Sequence, residues 1–178
     1  MPTDSGWLYL FEALELRSEY DARMKTIKEC LPETRSEREH RFFSRDEDSV
    51  RRPGVGLDPA VERERLKKLE FKRRKLNAAI QQTNFARTVE FRGDAVNLNE
   101  ALELRKALNT RIAELHTQTA ASAYERVIYK EGRDIVEKSG VDYVGCERKL
   151  NESRVMFRDL NRILRRATFE AVVNYKDE

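Results

Sequence analysis

The string Glu12-Ala13-Leu14-Glu15-Leu16-Arg17 returns letter for letter 88 residues later as Glu100-Ala101-Leu102-Glu103-Leu104-Arg105, with Leu10 and Leu98 each two residues ahead of it. A second set of matches runs at an offset of 84: Asp58 with Asp142, Leu66 with Leu150, Leu76-Asn77 with Leu160-Asn161, Ile80 with Leu164 and Phe85 with Phe169. The small difference between the offsets is a net length difference in the connecting segments. An internal period constrains a fold more than any single motif, because both copies must settle into one kind of unit. That unit is a long helix, a connector and a second long helix, spanning residues 9–91 and again 97–175. The expected fold is mostly α, with two duplicated long antiparallel helix pairs in a coiled-coil-like four-helix arrangement. Minor β-hairpin structure is expected beside them, all in one domain over residues 1–178.

The spacing predicts a first helix from Tyr9 to Leu31, with Leu10, Ala13, Leu14, Tyr20, Met24, Ile27 and Leu31 on one stripe. Residues 1–7 read as a short tail in which Trp7 is the first packing residue. Pro32 ends the helix, since it has no N–H to donate. A connector over residues 32–57 follows and closes with Pro53-Gly54-Val55-Gly56. Asp58-Pro59 then starts a helix, with Asp as N-cap and Pro where its missing N–H costs nothing. This second helix reaches Ala86 on a stripe of Leu66, Leu69, Leu76, Ile80 and Thr83.

Residues 88–96, with Gly93-Asp94, read as a strand and turn. Asn97 and Glu100 have capping-box spacing. A third helix then runs to Thr119, with Ala101, Leu104, Leu108, Ile112 and Leu115 at coiled-coil seam spacing. Beyond it, Tyr124–Lys130 and Val141–Val144, punctuated by Gly132 and Gly140, suggest a β-hairpin. Asp142 starts a fourth helix ending near Phe169, and Val172, Val173 and Tyr175 form a short strand matching the one after helix two.

Several function classes are set aside by what the chain lacks. A net charge of +3 does not by itself imply a polyanion partner. No apolar run approaches the ~20 residues of a membrane span. The N-terminus does not read as a secretory signal. Cys30 and Cys146 are not in a Cys-x-x-Cys pair, so two thiols in a reducing cytoplasm are expected. The histidines His40 and His116 share no spacing. Glu37-x-x-His40 is half of a carboxylate–histidine motif, which needs a second copy and two further inward carboxylates. Phosphate loops, nucleophile elbows and zinc-protease motifs do not occur. Neither catalysis, a cofactor nor a metal is expected.

Four groups of residues stand out. Arg17 and Arg105 fall at matching places about 60° from the seam centre at ~100° per residue, either extending past the core edge or paired with a buried acceptor. Asn77 and Asn161 flank the stripe, where Asn commonly fixes register or partner number, with ligand binding as the alternative role. Phe71, Phe85, Val155 and Phe169 point away from the leucine stripe, so they mark a second apolar face for another subunit or for the connectors. Lys72, Arg73, Arg74 and Lys75 make the second helix basic enough to meet phosphate. The fourth helix is also cationic. Within the first connector, Arg41-Phe42-Phe43-Ser44-Arg45 combines aromatics with cations as base-stacking sites do, though Glu37, Glu39, Asp46, Glu47 and Asp48 surround it.

The pattern Ile80-x-x-Thr83-Asn84-x-Ala86-x-Thr88, the Gly93-Asp94 turn, and Leu98-x-Glu100-Ala101-Leu102 followed by Arg105 and Leu108 resemble the septicolysin-like family. Leu10-x-Glu12-Ala13-Leu14 and Arg158-Asp159-Leu160-Asn161-x-Ile163 extend that likeness over most of the chain outside residues 32–60. It departs at Thr168-Phe169, where the family pattern has Asn-Trp. The resemblance implies a small bacterial helical protein and supplies no catalytic residues.

The function expected is a self-associating scaffold or regulatory protein, with itself and another protein as partners. Nucleic-acid binding through helices two and four is the alternative, and a membrane-active role stands third. The connector is either a recognition element, with Phe42 and Phe43 docked and arginines outward, or a spacer. Deleting residues 36–52 separates these. As a recognition element, the deletion leaves the melting temperature within a few degrees and abolishes partner binding; binding that survives makes it a spacer.

Overall fold

The computed structural model describes residues 7–32, 54–130, 132–137 and 140–177. His40, Arg41, Phe42, Phe43 and Arg45 lie outside the described residues. In chain order the elements are β1 (Trp7–Tyr9), α1 (Leu10–Cys30), α2 (Pro59–Ala86), β2 (Thr88–Phe91), β3 (Asp94–Asn97), α3 (Leu98–Ser122), β4 (Arg126–Lys130), β5 (Arg133–Glu137), α4 (Tyr143–Glu170) and β6 (Val172–Asn174). Among the described residues the fold is mostly α, with three short antiparallel strand pairs.

The duplicated string marks two helix starts. At α3 the Asn97 side chain accepts from the Glu100 amide at 2.9 Å, and the Glu100 carboxylate accepts from the Asn97 amide at 3.0 Å. At α1 the Glu12 carboxylate accepts from the Tyr9 amide at 2.7 Å. Each Glu satisfies an amide ahead of its helix and places a negative charge at the positive end of the helix dipole. Ala13 and Ala101, the next residues, are both 0% exposed. Asp58 and Asp142 start the other two helices, Asp58 accepting from the Ala60 amide at 2.8 Å and Asp142 from the Val144 and Gly145 amides at 3.2 and 2.9 Å. α2 and α4 are each 28 residues long.

The chain divides into two compact units, Met1–Thr83 with Val172–Glu178, and Asn84–Ala171. In unit 1, α1 and α2 are antiparallel: Arg17 reaches Asn77, Asp21 reaches Arg73 and Lys28 reaches Glu70. In unit 2 the Leu98 amide donates to the Arg87 carbonyl and Arg87 donates to Glu170, so α3 begins where α4 ends.

Strand register follows the same offsets. In the β2–β3 hairpin Thr88 pairs with Asn97, Val89 with Val96 and Glu90 with Ala95. In β6–β1 the residues 84 later and 88 earlier pair likewise, Val172 with Tyr9, Val173 with Leu8 and Asn174 with Trp7. β2 and β3 are joined by Arg92 and Gly93, both at positive φ (58° and 92°), as the favoured tight hairpin turn demands. β6 and β1 have no turn between them.

Four expectations are corrected. Trp7 belongs to a strand rather than a tail. The second hairpin pairs Arg126–Lys130 with Arg133–Glu137, because the Asp142 cap draws Tyr143 and Val144 into α4. Leu104 is exposed: the buried line on α3 runs Leu98, Ala101, Arg105, Leu108, Ile112, Leu115, alternating three and four, and passes through Arg105 instead. Arg105, and Arg17 on the corresponding line of α1, therefore stand in the seam rather than beside it, both half-buried.

Enlarging Ala101 to Leu overfills a closed site and is expected to cost about 1–3 kcal/mol, whereas Leu104→Ala costs under about 1 kcal/mol. Chemical denaturation of the two variants checks the contrast.

Candidate functional site

Unit 1 carries polar groups along its seam. On α1 the line runs Leu10, Ala13, Arg17, Tyr20, Met24, Ile27, and on α2 Leu66, Leu69, Arg73, Leu76, Ile80. Tyr20 is buried at its centre. Its hydroxyl donates to Asp177 Oδ1 at 2.5 Å and lies 3.2 Å from the Tyr175 hydroxyl. The Tyr175 hydroxyl donates to the Lys72 carbonyl at 3.5 Å. Lys72 Nζ donates to the same Asp177 oxygen at 2.8 Å. Arg73 Nε donates to Asp21 Oδ1 at 2.8 Å, and Arg17 Nη1 to Asn77 Oδ1 at 3.4 Å. The strand pair β6–β1 is thus followed by a short tail, residues 175–177, tied to both helices of the unit.

Five of these positions are apolar or lack a side chain in unit 2, while Asp21, Arg17 and Asn77 correspond to the polar Asn109, Arg105 and Asn161. Tyr20 corresponds to Leu108, Lys72 to Met156, Arg73 to Phe157, Tyr175 to Phe91 and Asp177 to Gly93. There the strands are joined covalently through Arg92 and Gly93, and no such network is needed to hold them. In unit 1 hydrogen bonds take the place of the turn. The network is a clasp.

Its titration behaviour agrees. Burial first, then the hydrogen bonds to Asp177 and Tyr175, push the Tyr20 hydroxyl well above the ordinary tyrosine range. Burial alone would raise Asp177, but the Lys72 ammonium and the Tyr20 hydroxyl outweigh it and hold the carboxyl below the usual range. Tyr20 kept neutral is a donor, not a base or nucleophile. Among the described residues every buried side-chain N or O atom has a partner, so no orphaned polar group points to an absent ligand.

Of the residues singled out from sequence, the structure brings Arg17 to Asn77 but does not join Arg105 to Asn161, though both members of each pair are half-buried. Phe71, Phe85, Val155 and Phe169 are all exposed, and Phe71 lies under cations of its own helix, with Lys75 Nζ 4.6 Å and Arg74 Cζ 6.0 Å from its ring centre. The basic run is split: Lys72 and Arg73 are bound to Asp177 and Asp21, while Arg74 and Lys75 face outwards. Tyr20, Asp21, Tyr175 and Asp177 escaped sequence reasoning as a group. The available signal was a tyrosine in the seam where the position 88 residues later holds leucine. Cys30 is exposed and Cys146 buried, both free thiols. Among the described residues no three His, Cys, Asp or Glu side chains come together as a metal site, and no helix is long and apolar enough to cross a membrane.

No family model matches the chain, and neither does any curated protein. A solved structure described as that of a functionally unknown conserved protein from Corynebacterium diphtheriae is similar in fold, with a TM-score of 0.64 at 18% identity, over 94% of this chain and 99% of that one.

Tyr20→Phe is expected to lower stability by about 1–3 kcal/mol, as loss of a hydrogen bond to a charged group does. The pH dependence follows from the two shifts. Asp177, depressed in the fold, stabilises above its unfolded value and loses that contribution as pH falls through its folded value, below about 4. Tyr20, raised in the fold, stabilises until pH climbs past about 10, where the unfolded chain begins to ionise. Melting temperatures across pH should show Asp177→Asn flattening the acid limb and Tyr20→Phe the alkaline one.

Proposed function

We propose that the chain is a self-associating helical protein that acts as a scaffold or regulatory partner through protein–protein contacts. The observation that carries this reading is apolar exposure at positions 84 residues apart. Phe71 is 50% exposed and Val155 45%; Phe85 is 59% exposed and Phe169 61%. Single exposed apolar groups are ordinary, but large ones recurring at the same places on two helices are the pattern of a surface that another molecule covers. Aromatic side chains are also the ones enriched at interface cores. Phe71 and Phe85 on α2, and Val155 and Phe169 on α4, are each two heptads apart, the spacing that keeps both on one face of their helix.

Nucleic-acid binding ranks second. Arg74 and Lys75 face outwards, which supports it, but Lys72 and Arg73 already have carboxylate partners in the same chain. A phosphate backbone would have to displace Asp177 and Asp21 to gain them. We also propose membership of the septicolysin-like family on the segments from Ile80 to Thr88 and from Leu98 to Leu108, and carry no activity over from it.

Light scattering at micromolar concentration tests the reading. A mass that is a multiple of the chain's is expected, from an interface of at least ~1,000 Å². A Phe71→Glu/Phe85→Glu variant should shift the mass downwards with its helical content unchanged. A monomeric wild type sinks the reading.

A further inference from the structure

β4 and β5 form a two-stranded sheet to which no other described strand is added. Tyr129 is 81% exposed, and Val127, Ile135 and Val136 are exposed as well. An isolated hairpin is marginal in water and gains stability from a third strand or a packed face. Both of its edges are templates for another strand.

The edges differ in charge. Laid antiparallel against its own copy about Ile135, β5 sets Ile135 against Ile135 and Arg133 against Glu137 on both sides. The same operation on β4, about Ile128, sets a cationic residue at 126 against another at 130, twice. Opposite charges directly across a strand pair stabilise it and like charges destabilise it. The backbone agrees. With a two-residue loop, residues 130 and 133 close the hairpin as a hydrogen-bonded pair, so residues 133, 135 and 137 turn their N–H and C=O towards β4. Residues 134 and 136 turn theirs outwards. In the register centred on Ile135 those outward groups meet residues 136 and 134 of the copy, which is the hydrogen-bonded pairing an antiparallel ladder requires.

We propose that β5 is an edge through which two copies of this chain join, pairing β5 with β5 about Ile135 into a four-stranded antiparallel sheet. The contact is self-complementary, as a two-fold dimer interface must be. It rests on the self-association reading above and names a surface for it. Glu137 already lies 3.6 Å from Arg126 in its own hairpin, an exposed pair that leaves its second carboxylate oxygen for the copy.

The test uses the full chain and light scattering at micromolar concentration. Val136→Pro removes an outward N–H that the hairpin itself does not use, and edge strands tolerate proline there. It should convert the assembly to a smaller species. Arg133→Glu places like charges across the pair and should raise the dissociation constant about tenfold. Arg133→Glu/Glu137→Arg combined with Arg126→Glu, which keeps the hairpin's own 126–137 pair opposite in sign, restores the opposition and should recover most of that loss. Wild type found as a monomer overturns both this inference and the self-association reading. Wild type that assembles, with its mass unmoved by Val136→Pro and Arg133→Glu, leaves self-association standing and removes β5 as its surface. If Val136→Pro loses helical circular dichroism, the charge pair decides alone: recovery in the triple variant supports the edge, and failure to recover overturns it.

Discussion

Unit 1 is closed by the pairing of β6 with β1, two strands more than 160 residues apart in the chain. Each doubling of a closed loop costs about 0.6 kcal/mol in chain entropy, so this closure is disfavoured by roughly 4 kcal/mol relative to a two-residue turn. Offsetting contributions of that size are present. Val173 is fully buried in β6, worth about 2 kcal/mol. The Tyr20–Asp177 hydrogen bond adds about 1.5–3 kcal/mol. Lys72, partly exposed, contributes less to the same oxygen because solvent screens it. Where unit 2 uses covalent geometry at Arg92 and Gly93, unit 1 uses polar side chains. A polar clasp is directional, so it also sets where the tail crosses the two helices.

That difference explains why two units with such similar sequences diverge inside their seams. Leu108, Met156 and Phe157 take those places in unit 2, where a two-residue turn joins the strands and its Arg92 donates to Met156 Sδ at 3.0 Å. Tyr20, Lys72 and Arg73 occupy the corresponding places in unit 1 and each finds a partner. The arginines Arg17 and Arg105 are present in both units, yet only Arg17 reaches its asparagine, so the shared residue does not guarantee the shared contact.

Local signals were the readable part of this chain. Asp58, Asp142, Asn97 and Glu100 announce helix starts because capping involves residues two or three apart, and all four perform as their spacing requires. Gly93 announces a turn for the same local reason. Leu104 misled because a leucine one position off the buried line looks identical to one on it until the neighbouring helix is placed. The angle assigned to Arg105 shifts for the same reason, because it is measured from a stripe that includes Leu104, and its stem can lie along apolar surface. The clasp was unreadable because Tyr20 and Asp177 are far apart in sequence, and nothing near either residue requires the other. The charge of Lys72 and Arg73 was readable, but the aspartates that answer it belong to other elements.

The unlinked β6–β1 pair also orders events during synthesis. α3 and α4 can associate once the ribosome has released α4, but β1, made first, has no strand to pair with until residues 172–174 emerge. At roughly 5–20 residues per second, that interval is on the order of ten to thirty seconds. For that time Leu8 and Tyr9 present an open edge at the start of α1. The unit begun first is the one completed last.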